Sequence, residues 1–146
     1  MARGELVLGI DQSTQGTKGL LFDEEGTLID KSVLPHRQII NELGYVEHDL
    51  KEISANVIGV VKALVERDPA RAGRIAVMGI SVQRETVGAW RKSTGEPLYN
   101  AVVWQCGRGA EFIARPEVKS HADEIRRITG LEMSEYFSAA KIAWLM

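Results

Sequence analysis

Between Asp11 and Lys18 the chain reads DQSTQGTK, which puts one carboxylate, two side-chain amides, three hydroxyls and an amine around Gly16. An apolar run, Leu6 to Ile10, stops at Asp11, and a second begins at Gly19. This pattern predicts a strand, a tight turn and a second strand. Successive backbone N–H groups in such a turn form a concavity for an anion, and the Ser13 and Thr14 hydroxyls add donors. Lys18 supplies a point charge, so the turn has what it needs to hold a phosphate. Asp11, at the end of a strand, can orient a hydrated Mg²⁺, which usually keeps most of its waters. The stretch is not a Walker A loop, because the GxxxxGK[ST] spacing is absent and strand-like residues follow. The plainer alternative is an ordinary polar hairpin.

Further along, Gln83-Arg84-Glu85-Thr86 follows a short apolar run, Ile75 to Ser81. Ligands collect beyond the carboxyl ends of parallel strands, where this quartet falls. A guanidinium beside a carboxylate can give to one hydroxyl and accept from another, as a polyol requires. A strand-end salt bridge is the alternative. Trp104, in Trp104-Gln105-Cys106, can form a flat wall against the carbons of a polyol, and Tyr136 offers a phenol beside Phe137 and Ser138. Each of these is also compatible with plain core packing.

The elements that must carry these residues follow from periodicity. Leu28 to Leu34 predicts a third strand after the DEEG turn, completing an antiparallel meander. Pro35 to His48 reads as irregular. Asp49, with Glu52 three residues later, marks a helix start, and Ile53, Val57, Val60, Val61 and Leu64 form one apolar stripe ending near Arg67, before Asp68-Pro69. Ile75 to Ser81 predicts a central strand buried on both faces, parallel to the first through the crossover helix. Val87 to Trp90 and Ala101 to Trp104 predict a small second hairpin. Three helices complete the pattern: Gly109 to Ala114, broken by Pro116; Ser120 to Thr129, capped by Ser120 and stopped by Gly130; and one from Ser138 onward. The chain closes on Trp144-Leu145-Met146 with nothing after them to cover them, which suggests truncation.

The chain has 146 residues, 45% hydrophobic and 26% charged, with a formal net charge of −2. That is room for one domain with a real core, and there is no broad basic field to attract a nucleic acid backbone. Cys106 is the sole cysteine, which leaves no intramolecular disulfide and no thiolate zinc site and suits a reducing compartment. The N-terminal apolar run is too short for a signal peptide, and no stretch reaches the roughly 18 apolar residues of a membrane span, so no membrane partner and a cytoplasmic location are expected. His36, His48 and His121 are far apart and lack metal-ligand spacing.

Taken in order, GIDQSTQGTK, GYVEHD, GISVQRET, TGEPLYNAVVWQC and TGLEMSEYFSAAK resemble the first domain of the FGGY carbohydrate kinases, over nearly the whole chain. QRET with YNAVVWQC resembles the glycerol-kinase branch in particular. The resemblance implies an α/β, ribonuclease H-like (actin-like ATPase) domain, with a mixed sheet of an antiparallel three-strand meander plus a parallel strand and flanking helices. It implies ATP and Mg²⁺ as cofactors. Asp11 would help organise the metal, and Gln12, Ser13, Thr14, Gln15 and Lys18 would lie at the nucleotide phosphates. Arg84, Glu85, Trp104 and Tyr136 match positions that hold a polyol. On the same grounds residues 1–146 would be the N-terminal lobe of a two-domain sugar or polyol kinase. The C-terminal domain and the general base would lie downstream, the full-length protein would be a homo-oligomer, and the fragment alone would not turn over.

The departures are concentrated in the hairpin. Ser13 stands where the family usually has Gly, Gln15 and Gly16 replace a hydroxyl pair, and Lys18 replaces Arg, losing a bidentate fork. Gly107 replaces the first arginine after WQC while Arg108 matches the second, and Ala139-Ala140 replaces Gly-Thr. The polyol positions are better kept than the phosphate loop, which leaves a ketose or another polyol as an alternative acceptor. Two further alternatives are a ribonuclease H-like nuclease using Asp11 and a non-catalytic carbohydrate-binding lobe.

Overall fold

A computed structural model describes residues 4–146. In chain order its strands and helices are β1 (Leu6–Gln12), β2 (Gly16–Phe22), β3 (Leu28–Pro35), β4 (Ile39–Ile40), β5 (Val46–His48), α1 (Leu50–Glu66), β6 (Ile75–Val82), β7 (Ala101–Val102), α2 (Ala110–Ile113), α3 (Pro116–Lys119), α4 (Ala122–Thr129) and α5 (Ser138–Leu145). They form two compact units, residues 1–37 with 49–83 and residues 38–48 with 84–146. Among the described residues no helix is long and apolar enough to cross a membrane.

The first unit is a mixed sheet in the order β3-β2-β1-β6, with β1 antiparallel to β2 and parallel to β6. Strand alternation turns Leu6, Leu8 and Ile10 of β1 to one face, where they meet Leu21 of β2 and Val60 and Leu64 of α1. Asp49 caps α1 as the sequence predicts, its Oδ1 accepting from the Lys51 N–H at 2.8 Å. Glu52 does not close a capping box; it accepts from the Arg37 backbone N–H at 3.3 Å instead. The mixed sheet is the ribonuclease H-like arrangement expected, but β6 is not its buried centre. It is an edge strand, and Val77, Met78, Ile80 and Val82 are 49 to 58% exposed. Ile75 at its start packs on the core, but the rest of its apolar run lies beside β1 without a helix over it, because α1 covers chiefly β2 and β3.

Residues read from sequence as irregular, or as a separate hairpin, pair with each other in the second unit. β4, β5 and β7 make a three-stranded sheet, and the expected hairpin survives only as the isolated bridges Val87–Val102 and Trp90–Pro97. Pro116 begins α3 instead of ending a helix, since a missing N–H costs nothing in the first turn. Ser120 does not cap α4; its hydroxyl donates to Glu117 O at 2.9 Å, and His121 takes the cap position.

The Glu47 carboxylate, buried on β5, accepts from Tyr99 Oη at 2.8 Å, Asn100 Nδ2 at 2.8 Å and Arg108 at 2.5 Å. Arg108 also donates from Nε to Cys106 Sγ at 3.1 Å, and its guanidinium lies 4.5 Å from the Tyr45 ring centre and 4.4 Å from that of Trp144. Burial opposes ionisation of Glu47, but the donors from Asn100, Arg108 and Tyr99 outweigh it and hold the carboxyl below its ordinary value of 4.5.

Two outcomes follow from these contacts. A Cβ on Gly16 would lie 2.7 Å from the Leu34 carbonyl oxygen of β3, so Gly16→Ala must push the strands apart. Denaturant unfolding should show a loss of about 1–3 kcal/mol. Because the native Glu47 carboxyl titrates below its unfolded value, its stabilisation is full above pH 4.5 and is lost as the pH falls through the lower native value. Unfolding midpoints should therefore drop in that acid range. Glu47→Gln should remove of the order of 3 kcal/mol near neutral pH and flatten the acid dependence.

Candidate active site

The hairpin residues singled out in the sequence sit at the β1–β2 turn. The antiparallel register sets Asp11 opposite Lys18, and their side chains pair across the strands, Nζ to Oδ2 at 2.8 Å. Lys18 is 45% and Asp11 35% exposed, so the pair is open to exchange partners with an incoming anion or cation. The turn itself is braced. The Ser13 N–H and hydroxyl both donate to Gly16 O, at 2.9 and 3.0 Å. His36 Nε2 lies 2.9 Å from Thr14 O, a bond that requires Nε2 to carry the proton. Gln12 is buried, donating to Ser13 O at 3.0 Å and accepting from Gln83 Nε2 at 3.2 Å. Thr14 and Gln15 form the tip. The Ser13 hydroxyl hydrogen is spent within the turn, so what that side chain presents outward is acceptor lone pairs. Among the described residues no group of His, Cys, Asp and Glu forms a cage for a metal ion.

The other candidates lie in the second unit. Arg84 and Glu85 occupy the turn after β6, and Glu85 has φ of 62°, a left-handed backbone that is uncommon outside glycine. Such strain persists where surroundings over-determine it, and here they do. Glu85 Oε2 accepts from both the N–H and the hydroxyl of Ser138, each at 2.8 Å. The Ser138 hydroxyl is the largest cause, followed by its N–H, of a carboxyl held below its ordinary value. These contacts favour the ionised form of Glu85 and fix its Oε2. The Arg84 guanidinium is exposed, and its charge also favours the ionised carboxylate.

Trp104 and Tyr136 complete this wall. The Trp104 N–H donates to Thr86 Oγ1 at 3.2 Å, which ties the residue after Val103 to the Arg84–Glu85 turn. The Trp104 and Tyr136 rings meet edge to face with centres 5.9 Å apart, and Tyr136 meets Phe137 at 5.2 Å. The structure therefore brings Glu85, Trp104 and Tyr136 together, with Arg84 on the same turn. Asp11, Gln12, Ser13, Thr14, Gln15 and Lys18 form a separate group in the first unit.

Two contributors were not legible as such. Ser138 looks like the N-cap of the last helix, yet Phe137 takes that position and Ser138 serves Glu85. Lys141 is 0% exposed, its ammonium spent on backbone carbonyls. The available signal was its place inside an otherwise apolar helix, SAAKIAWL.

Comparison with known proteins identifies the family. The model of the FGGY family of carbohydrate kinases, N-terminal domain, matches residues 6–146. The chain is 41% identical over 140 residues to glycerol kinase 1 of Thermotoga maritima, covering 96% of this chain and 28% of that protein. The crystal structure of Plasmodium falciparum glycerol kinase with ADP superposes with a TM-score of 0.87 at 37% identity, over 98% of this chain and 29% of that one. Gluconate kinase from Lactobacillus acidophilus superposes with a TM-score of 0.84 at 25% identity, over 97% and 28%. The chain thus spans less than a third of the length of these relatives. With the family model matching residues 6–146 and the mixed sheet shared with these kinases, the chain belongs to the FGGY family of carbohydrate kinases.

Proposed function

We propose that the longer protein containing this chain transfers the terminal phosphoryl group of ATP to a polyol hydroxyl, with glycerol as acceptor and glycerol 3-phosphate as product. Residues 1–146 are its N-terminal lobe. The observation that carries the reading is the Glu85 carboxylate, kept ionised and oriented by Ser138. It stands next to a free-standing guanidinium and near a tryptophan–tyrosine pair. A molecule with adjacent hydroxyls on a short carbon chain uses all of these. Glu85 accepts from one hydroxyl, Arg84 donates to another, Tyr136 adds a hydrogen bond and Trp104 covers the carbons. The 41% identity to a glycerol kinase supports the choice of acceptor.

The hairpin serves the nucleotide side. Lys18, the Thr14 hydroxyl and the turn amides suit phosphate oxygens, and Gln12 holds the turn from below. The Asp11 carboxylate, 35% exposed and paired with Lys18, fits a magnesium ion that arrives on the phosphates and keeps its waters. That ion would neutralise charge on the transferring group. Glu85 is poorly suited to take the hydroxyl proton, because a carboxyl held below its ordinary value is a weak base. We assign that step to a carboxylate elsewhere in the longer protein. The exposed apolar edge of β6 is consistent with a lobe that the rest of that protein covers.

A coupled ATP-consumption assay on the full-length protein, with glycerol, longer polyols and ketoses as acceptors, tests this. Glycerol should drive turnover, and Arg84→Ala should raise its KM by about tenfold to a hundredfold, the worth of a charged hydrogen bond. Residues 1–146 alone should be inactive. Turnover with a ketose but not glycerol would move the acceptor, and no turnover with any of them would sink the kinase reading.

A further inference from the structure

Lys141 lies one turn into α5 and is completely buried. An ammonium has three hydrogens and no acceptor, and taking it out of water is costly unless each hydrogen finds a partner. Here the partners are consecutive backbone carbonyls: Glu135 O at 2.7 Å, Tyr136 O at 2.5 Å and Phe137 O at 3.5 Å. No side-chain carboxylate neutralises it directly. One buried charge therefore gathers the backbone of residues 135–137 around a single point. Tyr136 is the middle residue of that clamp, and the next residue, Ser138, gives its N–H and hydroxyl to Glu85.

We propose that Lys141 is a positioning residue for the polyol site, holding the segment that sets Tyr136 and, through Ser138, the Glu85 carboxylate. The proposal rests on the polyol reading of that wall. Lys141 itself does not reach a ligand, since every hydrogen it has is directed at the chain. A lysine serving only as ballast for the core would be replaceable by an apolar side chain of the same length with no change in ligand affinity. A clamp would not be. Without the ammonium the gathered carbonyls face one another unsatisfied, and the segment must open to reach water. Opening displaces Tyr136 and removes the Ser138 donors from Glu85.

The test is Lys141→Met in the full-length protein, with Lys141→Arg as the variant that keeps the charge. The KM for glycerol and for ATP, glycerol affinity by calorimetry, and hydrogen exchange at the Ser138 amide are measured for each. Lys141→Met should weaken glycerol binding about tenfold or more, consistent with loss of a charged hydrogen bond. The KM for ATP should stay within about twofold, and Ser138 should exchange faster while the β1 amides do not. Lys141→Arg should recover part of the affinity, and it decides the question if Lys141→Met does not fold. Unchanged glycerol affinity in a folded Lys141→Met protein, or equal losses in glycerol affinity, ATP KM and thermal stability, overturns the proposal alone. A wild-type protein that binds no polyol overturns the polyol reading and this proposal with it.

Discussion

Arg108 and Glu47 are both withdrawn from water, and the second unit is arranged so that neither is left uncompensated. Removing one partner of such a pair is far more damaging than never having built it, because the survivor keeps the full desolvation penalty. The surroundings reflect this. Glu47 is met by a phenol, an amide and the guanidinium, while Arg108 is flanked by Tyr45 and Trp144 and donates to Cys106. These contacts tie β5, the segment before β7, the turn after Val103 and the last helix to one point. Trp104 lies two residues before Cys106, whose Sγ accepts from Arg108, so the backbone that carries Trp104 is anchored close to this ion pair.

The same logic recurs at Lys141 and Glu85. Each is a charge held by backbone or short side-chain donors and acceptors, and each fixes a segment that carries a candidate ligand contact. The first unit works differently. Its core is apolar, formed by Leu6, Leu8, Ile10, Leu21, Val60 and Leu64. Its precision comes from close approach, with Gly16 against the Leu34 carbonyl and Gly19 under Leu64 and Val60. A hairpin with no slack and a braced turn keeps Asp11 and Lys18 in fixed register.

What could be read in the sequence is what local physics decides. β1, β2, β3 and α1 have clear periods, turn residues and a cap, and their order gave the mixed sheet. The short strands β4 and β5 have no period to detect; β4 pairs with β5, and β5 is completed by β7 from far along the chain. The apolar run of β6 showed that it is a strand but not what covers it, so burial on both faces was the wrong inference. Arg84, Glu85, Trp104 and Tyr136 could be named as candidates from type and position. Ser138 and Lys141 could not be given their roles, because those depend on partners reached only through folding, such as Glu85 across 53 positions. The Asp11–Lys18 pair follows from hairpin register, which the length of the turn hinted at without fixing.

The central claim is that the Arg84–Glu85 turn and the Trp104–Tyr136 pair hold a polyol in an ATP-dependent kinase. A crystal structure of the full-length protein grown with glycerol as the sole polyol, together with a non-hydrolysable ATP analogue, tests it most directly. The expected result is a glycerol molecule hydrogen-bonded to Arg84 and Glu85 with its carbons against Trp104, and the analogue's phosphates at the turn that carries Thr14 and Lys18. Glycerol bound away from Glu85, or phosphates bound away from that turn, would contradict it.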